Sequence, residues 1–230
     1  MAAPPLLLGH RGARAIKSVP ENTLPSFDLA LLHGCDGFEF DVRRTSDGRG
    51  LICHDPRIGK LAVCHVTSNQ LPQCPLLEDV LQHCAHRAFL DIELKVSELE
   101  TIVLTALREC QLQRDYVVSS FLPEVIMELK ARSGTTPVGI ICDKPNELPR
   151  WHQLPVEYVI PEQKLVTEQF VDEVHSAGRR LFVWTVNEPK EMLRLAGWGV
   201  DGIISDDTKL LVQTLGLNRQ PMPLTPGRSR

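Results

Sequence analysis

The sequence predicts an α/β protein of the closed (β/α)8 barrel class. Three observations carry that reading. About eight short apolar runs alternate with seven or eight segments of helical periodicity, and short links between them imply parallel strands joined by crossover helices. A length of 230 residues falls in the range of a single barrel. The unusual polar residues recur just after the apolar runs, at the strand ends where a barrel carries its active site. A doubly wound open sheet is the alternative, but no Gly-x-Gly-x-x-Gly follows the first run, so a dinucleotide role has no support.

Each element has its own signal. Leu6-Leu7-Leu8-Gly9 is a buried strand ending at His10-Arg11-Gly12. Asn22 or Thr23 caps a helix over 23–33, with Pro25 in its first turn and Gly34 as its stop. Gly37 to Val42 is the second strand. Ser46-Asp47-Gly48 turns the chain into Leu51-Ile52-Cys53, which delivers His54-Asp55. Residues 56–75 carry four Pro or Gly and weak periodicity, and read as an extended loop. A helix over 75–84 follows, then an alternating strand over 88–95, with Asp91, Glu93 and Lys95 on one face. Ser97 is expected to cap a helix to about Gln111. Strands over 116–121, 137–142, 157–161, 180–186 and 201–205 alternate with helices over 123–132, 167–177, 188–196 and 208–215. The prolines of 143–155 leave one helix short or missing. One domain spans 1–216, with residues 56–75 as a reduced insertion after the second strand region and 217–230 as a flexible, Pro-rich tail.

Composition narrows the function. A net charge of −4 offers no electrostatic footprint for nucleic acid, and 5% aromatic content argues against a stacking surface for single strands. No apolar run approaches a membrane span. The seven cysteines form no Cys-x-x-Cys pair and no zinc spacing, which predicts free thiols and a cytoplasmic protein.

Glu39 and Asp41 stand two apart in the strand Gly37-Phe38-Glu39-Phe40-Asp41-Val42, so both carboxylates face one way. Like charges that close need neutralising. A hard divalent cation, Mg²⁺ or Ca²⁺, does so with Glu93 as a third carboxylate; ion pairs with Arg43, Arg44 or Lys95 are the bland alternative. Arg11 and Lys95 suit an anion, and His10 and His54 suit a reaction needing a base and an acid. A phosphodiester meets all three requirements. Phe121 and Trp184 are expected as pocket walls. Asp55 is expected to orient backbone or Arg57, and Asp206 to cap the last helix. The remaining histidines read as surface or packing residues.

The motifs Gly9-His10-Arg11-Gly12, Pro20-Glu21-Asn22-Thr23, Glu39-Phe40-Asp41-Val42, His54-Asp55, Glu93-Leu94-Lys95, Trp184-Thr185-Val186-Asn187 and Gly199 to Asp206 stand in order from Leu6 to Leu215. In that set the chain resembles the glycerophosphodiester phosphodiesterases. The resemblance implies a TIM barrel that hydrolyses glycerophosphodiesters, such as glycerophosphocholine or glycerophosphoethanolamine, to glycerol 3-phosphate and an alcohol. It implies Glu39, Asp41 and Glu93 as metal ligands, His10 and His54 as the acid/base pair, and Arg11 and Lys95 as the phosphate holders. Glu21 would be a polar partner near the metal or His10, and Asn187 would support the site. A cyclic-phosphate route and direct attack by water both remain open, as do headgroup and oligomeric state. Family members usually carry a sizeable insertion after the His-Asp pair, so the roughly twenty residues here imply a smaller cap and a more open pocket. That opening admits a lysophospholipase D activity as a second reading. A catalytically dead binding barrel is a third, opposed by the intact His10, His54, Glu39, Asp41 and Glu93.

Overall fold

A computed structural model describes residues 3–216; the tail expected at 217–230 lies outside the described residues. Eight parallel strands close on themselves: β1 (Leu6–His10), β2 (Gly37–Arg44), β6 (Phe89–Leu94), β7 (Tyr116–Ser120), β8 (Val138–Cys142), β9 (Tyr158–Pro161), β10 (Arg180–Val183) and β11 (Gly202–Ser205). The final strand pairs back onto the first, Leu7 beside Ile203, which makes the sheet a barrel. Between β2 and β6 lie β3 (Gly50–Ile52), antiparallel to β2, and a small hairpin of β4 (Arg57–Ile58) and β5 (Leu61–Ala62). The outer helices are α1 (Leu24–His33), α2 (Leu77–Cys84), α3 (Glu100–Cys110), α4 (Pro123–Arg132), α5 (Glu168–Ser176), α6 (Pro189–Trp198) and α7 (Thr208–Leu215). A six-residue 3-10 segment over Leu148–Gln153 stands where the Pro-rich stretch interrupts the alternation.

The period of two sorts each strand's side chains between two cores. Phe38, Phe40 and Val42 point out toward the helices, where the ring of Phe27 stacks on that of Phe38 at 4.2 Å. Burying such a ring stabilises the fold by roughly 1.5–3 kcal/mol. Inside the barrel, Leu8, Phe89, Val117, Tyr158, Phe182 and Ile204 form a separate apolar plug. Phe89, Tyr158 and Phe182 meet edge-on there, with Phe182 5.5 Å from Phe89 and 4.9 Å from Tyr158. The plug fills the lower barrel, and its upper isoleucines, with Phe121 and Trp184, form one side of a C-terminal mouth whose other side is polar. Gly37 is required by this closeness, since a Cβ would lie 1.9 Å from the Phe89 carbonyl oxygen.

Four local expectations are corrected. Residues 56–75 are not an extended loop: the hairpin, two 3-10 turns and the cluster of Leu51, Cys53, Val63, Val66 and Leu71 make a small packed unit. The apolar residues there are too scattered for a helical or strand period, yet together they bury one side. Ser97 does not cap α3; that helix begins at Glu100, and Glu98 just before it has φ +68°. The strand expected over 180–186 ends at Val183. Asp206 does not cap α7: Asp207 does, its side chain accepting from the Leu210 amide at 2.9 Å.

Candidate active site

The C-terminal mouth gathers what the sequence placed at strand ends. A cavity of about 260 Å³ is lined by His10, Arg11, Glu39, His54, Glu93, Lys95, Phe121 and Trp184, joined by Asp91, Ile141, Asp143, Ile160 and Ile204. Register brings the acids together: His10 lies beside Glu39, and Asp41 beside Glu93. One oxygen each from Glu39, Asp41 and Glu93 lies within 4.8 Å of the others, all three residues buried.

Their surroundings leave them under-satisfied. The Arg11 amide donates to Glu39 Oε2 at 3.0 Å, while Glu39 Oε1 has no hydrogen-bond partner among the described residues. Asp41 Oδ2 accepts from Asn22 Nδ2 at 2.8 Å and faces Arg11 Nε at 3.2 Å. Lys95 Nζ stands 2.6 Å from Glu93 and 3.4 Å from Asp41. Burial, then the charge of Asp41, holds the Glu39 carboxyl well above the usual range, and the same causes push Glu93 up to about 8. Burial would raise Asp41 too, but Lys95 and Arg11 outweigh it and hold Asp41 low. Two of the three clustered carboxylates therefore resist ionising on the protein's own charges, a charge deficit that a hard divalent cation would fill. The donor set fits such an ion: one carboxylate oxygen from each residue lies in reach of the others, and Glu39 Oε1, Asp41 Oδ1 and Glu93 Oε1 each lack a hydrogen bond among the described residues. The ion-pair reading holds only for Lys95, since Arg43 Nε donates instead to the His54 carbonyl and Arg44 pairs with Glu98.

Each histidine has a carboxylate behind it. His10 Nδ1 meets Asp206 Oδ1 at 2.7 Å, and His54 Nδ1 meets Asp55 Oδ1 at 2.8 Å. Burial lowers the affinity of His10 for a second proton, while Asp206, despite its own burial, is held low by hydrogen bonds from His10, Asn187 and Arg14. An ionised Asp206 only accepts, so His10 Nδ1 carries the proton and Nε2 is left with its lone pair, 3.8 Å from Glu39. Only 9% of the His10 side chain is exposed against 35% for His54, which places one deep and the other at the rim.

Two supporting residues take partners other than those expected. Glu21 reaches neither His10 nor the acidic cluster; it accepts from Arg11 at 2.8 Å and from Arg14 at 2.6 Å. Asp55 orients His54 rather than Arg57. Asn187 bridges Ser205 and Asp206, accepting from the Asp206 amide and donating to its carboxylate at 2.9 Å. Arg14, which carried no motif signal, ties Glu21 to Asp206 and so links the His10 and Arg11 sides. Asn22, expected as a cap candidate and within the Pro20-Glu21-Asn22-Thr23 motif, instead donates to Asp41. Asp91, in the alternation with Glu93, accepts from Ser119 at 2.5 Å, and burial pushes it up to about 7. The backbone is shaped to fit: Arg11 has φ +53°, and Gly12 has φ +82° where a Cβ would sit 2.4 Å from Ser26 Oγ.

A (β/α)8 barrel with two carboxylate-backed histidines, an acidic cluster and two cations around one cavity defines a hydrolase for an anionic ester. A model of the glycerophosphoryl diester phosphodiesterase family matches residues 10–78 and 66–210. The chain belongs to that family of phosphoric diester hydrolases. It is 27% identical over 236 residues to a glycerophosphodiester phosphodiesterase of Caldanaerobacter subterraneus subsp. tengcongensis, covering 90% of this chain and 96% of that one. The solved glycerophosphodiester phosphodiesterase of Thermotoga maritima is similar at 25% identity and a TM-score of 0.79, over 93% of this chain and 99% of that one. A phosphodiesterase of Oleispira antarctica, solved in complex with the product sn-glycerol-3-phosphate, matches at 23% identity and a TM-score of 0.80, over 93% of this chain and 97% of that one. Among the described residues no helix is long and apolar enough to cross a membrane.

Proposed function

We propose that this enzyme hydrolyses glycerophosphodiesters to sn-glycerol 3-phosphate and an alcohol, with two-histidine acid/base catalysis and one divalent cation, Mg²⁺ or Ca²⁺. The observation that carries the reading is the pairing of His10 with Asp206 and His54 with Asp55 on one cavity with the acidic cluster. Glu39, Asp41 and Glu93 would hold the ion. When bound, it supplies Lewis-acid polarisation of phosphoryl oxygens.

The chain's own groups do the rest. Arg11 and Lys95 lie at the acidic cluster and hold the phosphate. His10 Nε2, deep and free to accept, takes the proton of the attacking oxygen, that of water directly or that of the glycerol 2-hydroxyl, after which water opens the cyclic phosphate to glycerol 3-phosphate. His54, at the rim, gives a proton to the departing alcohol, which leaves toward solvent. Phe121 and Trp184 wall the leaving-group side. Asp55, Asn187 and Glu21 hold His54, Asp206 and Arg11 in place. The catalytic barrel is assigned to the described residues 3–216, with 56–75 as a small cap that leaves the mouth open. The free thiols of Cys53, Cys64, Cys74, Cys84, Cys110 and Cys142 fit a cytoplasmic setting.

Release of glycerol 3-phosphate from glycerophosphocholine and glycerophosphoethanolamine tests the reaction. His10→Ala and His54→Ala should each lower kcat by roughly 10²–10⁴-fold. Turnover near wild type in either variant removes that histidine from the pair. Release from lysophosphatidylcholine alone would transfer the assignment to lysophospholipase D.

A further inference from the structure

The cavity has two chemically different halves. The charged groups come from β1, β2, β6 and the His54 loop. The opposite side is Phe121, Ile141, Ile160, Trp184 and Ile204, following or ending β7 to β11, with Asp143 at its edge. The rings of Phe121 and Trp184 meet at 85° with centroids 5.5 Å apart, so they form a corner of two perpendicular walls. Trp184 is pinned there by its indole N–H, which donates to the Ile160 carbonyl at 3.0 Å. The Phe121 face already receives a cation, Lys95 Nζ at 5.5 Å from the centroid. The same ammonium stands 2.6 Å from Glu93 and 3.4 Å from Asp41, so it belongs to the charged half of the cavity. Asp143 is exposed, and its partner Lys144 stands off at 3.7 Å.

We infer that the Phe121–Trp184 corner with Asp143 is a leaving-group subsite for an alcohol carrying a quaternary ammonium. This rests on the phosphodiesterase reading above and adds which diester the site prefers. A glycerol moiety with free hydroxyls matches the charged half. A trimethylammonium group is bulky, apolar on its surface and cationic, and cannot donate a hydrogen bond. Two aromatic walls and three isoleucines take its methyl surface, the rings attract its charge, and the carboxylate at the rim completes the neutralisation. A neutral, hydroxyl-rich alcohol gains none of this and leaves its hydroxyls unpaired against the isoleucines. A primary ammonium is intermediate, since burial against the same wall strips its hydration.

The experiment compares kcat/KM for glycerophosphocholine, glycerophosphoethanolamine and glycerophosphoglycerol, alongside saturation-transfer NMR of free choline. Wild type should favour the choline diester over the glycerol diester by roughly five- to thirtyfold. Phe121→Leu, which keeps apolar bulk, and Asp143→Asn, at an exposed position, should each narrow that ratio by at least about threefold. Both should weaken saturation transfer to the choline methyl protons. Equal kcat/KM for all three diesters, or a ratio that neither variant changes, overturns the subsite. Methyl saturation that the variants abolish, in a protein that hydrolyses no glycerophosphodiester, upholds the subsite and sinks the reaction instead.

Discussion

Asp206 meets three side chains at once, His10 at 2.7 Å, Arg14 at 3.0 Å and Asn187 at 2.9 Å. The first of these contacts fixes the His10 tautomer, and the other two fix Asp206. Asp206→Asn should therefore lower kcat by about 10–100-fold with little change in KM, because the imidazole stays in place but loses its orientation and charge partner. Steady-state kinetics on glycerophosphocholine decide it; a variant with normal kcat would reduce Asp206 to a structural role. Residues of this kind were the least legible in the sequence. His10, Glu39, Asp41 and Glu93 announce themselves by type and by spacing of two. Asp206, Arg14 and Glu21 act through partners up to 196 positions away, and nothing in local pattern encodes such a pairing.

The segment between β3 and α2 is the element whose character the sequence concealed. Its prolines and glycines suggested an open loop, but its apolar residues pack on Leu51 and Cys53 beside the His54 loop. Asp47 anchors it, accepting from the Ser68 amide at 3.0 Å and hydroxyl at 2.9 Å. A hydrogen bond from Thr45, then those from Ser68, hold Asp47 down at about 2, below its ordinary value of 3.8. The folded-state value is the lower one, so the anchor's stabilisation is complete above pH 3.8 and disappears as pH falls toward about 2. Asp47→Asn should flatten that part of the dependence of Tm on pH and speed amide exchange over residues 63–71. An unchanged acid limb and unchanged exchange would show that the segment does not rely on this contact. Helix and strand positions were far easier to read, because Gly34, Thr23 and Thr167 cap where local rules put them. Ser97 failed as a cap since Glu98 takes a left-handed conformation and delays the helix to Glu100.

Across the described residues, burial grades the cysteines from buried through half-buried Cys74 and Cys110 to exposed. Cys53, Cys84 and Cys142 are buried, and that burial pushes each thiol up to about 12, whereas Cys64 is exposed. At pH 8 a thiol reagent should modify Cys64 first and leave those three intact until the barrel unfolds, as peptide mapping would record. Rapid native labelling of Cys53 would mean that the unit over the His54 loop opens readily. The barrel itself was legible because about eight strand–helix alternations in one chain, with polar residues recurring at one end, match a closed barrel. What alternation could not reveal is the apolar plug that fills the lower barrel and lifts the chemistry to the mouth. In the proposed reaction, turnover depends on a divalent cation that completes three buried carboxylates short of positive charge. The most direct measurement is glycerol 3-phosphate release from glycerophosphocholine after chelation and again after Mg²⁺ or Ca²⁺ is restored, with calorimetric titration of the same ion into wild type and Glu39→Gln. Turnover should vanish on chelation and return with the ion, and Glu39→Gln should bind that ion at least about tenfold more weakly. Full activity in the chelated enzyme, or equal ion affinity in the two proteins, would contradict it.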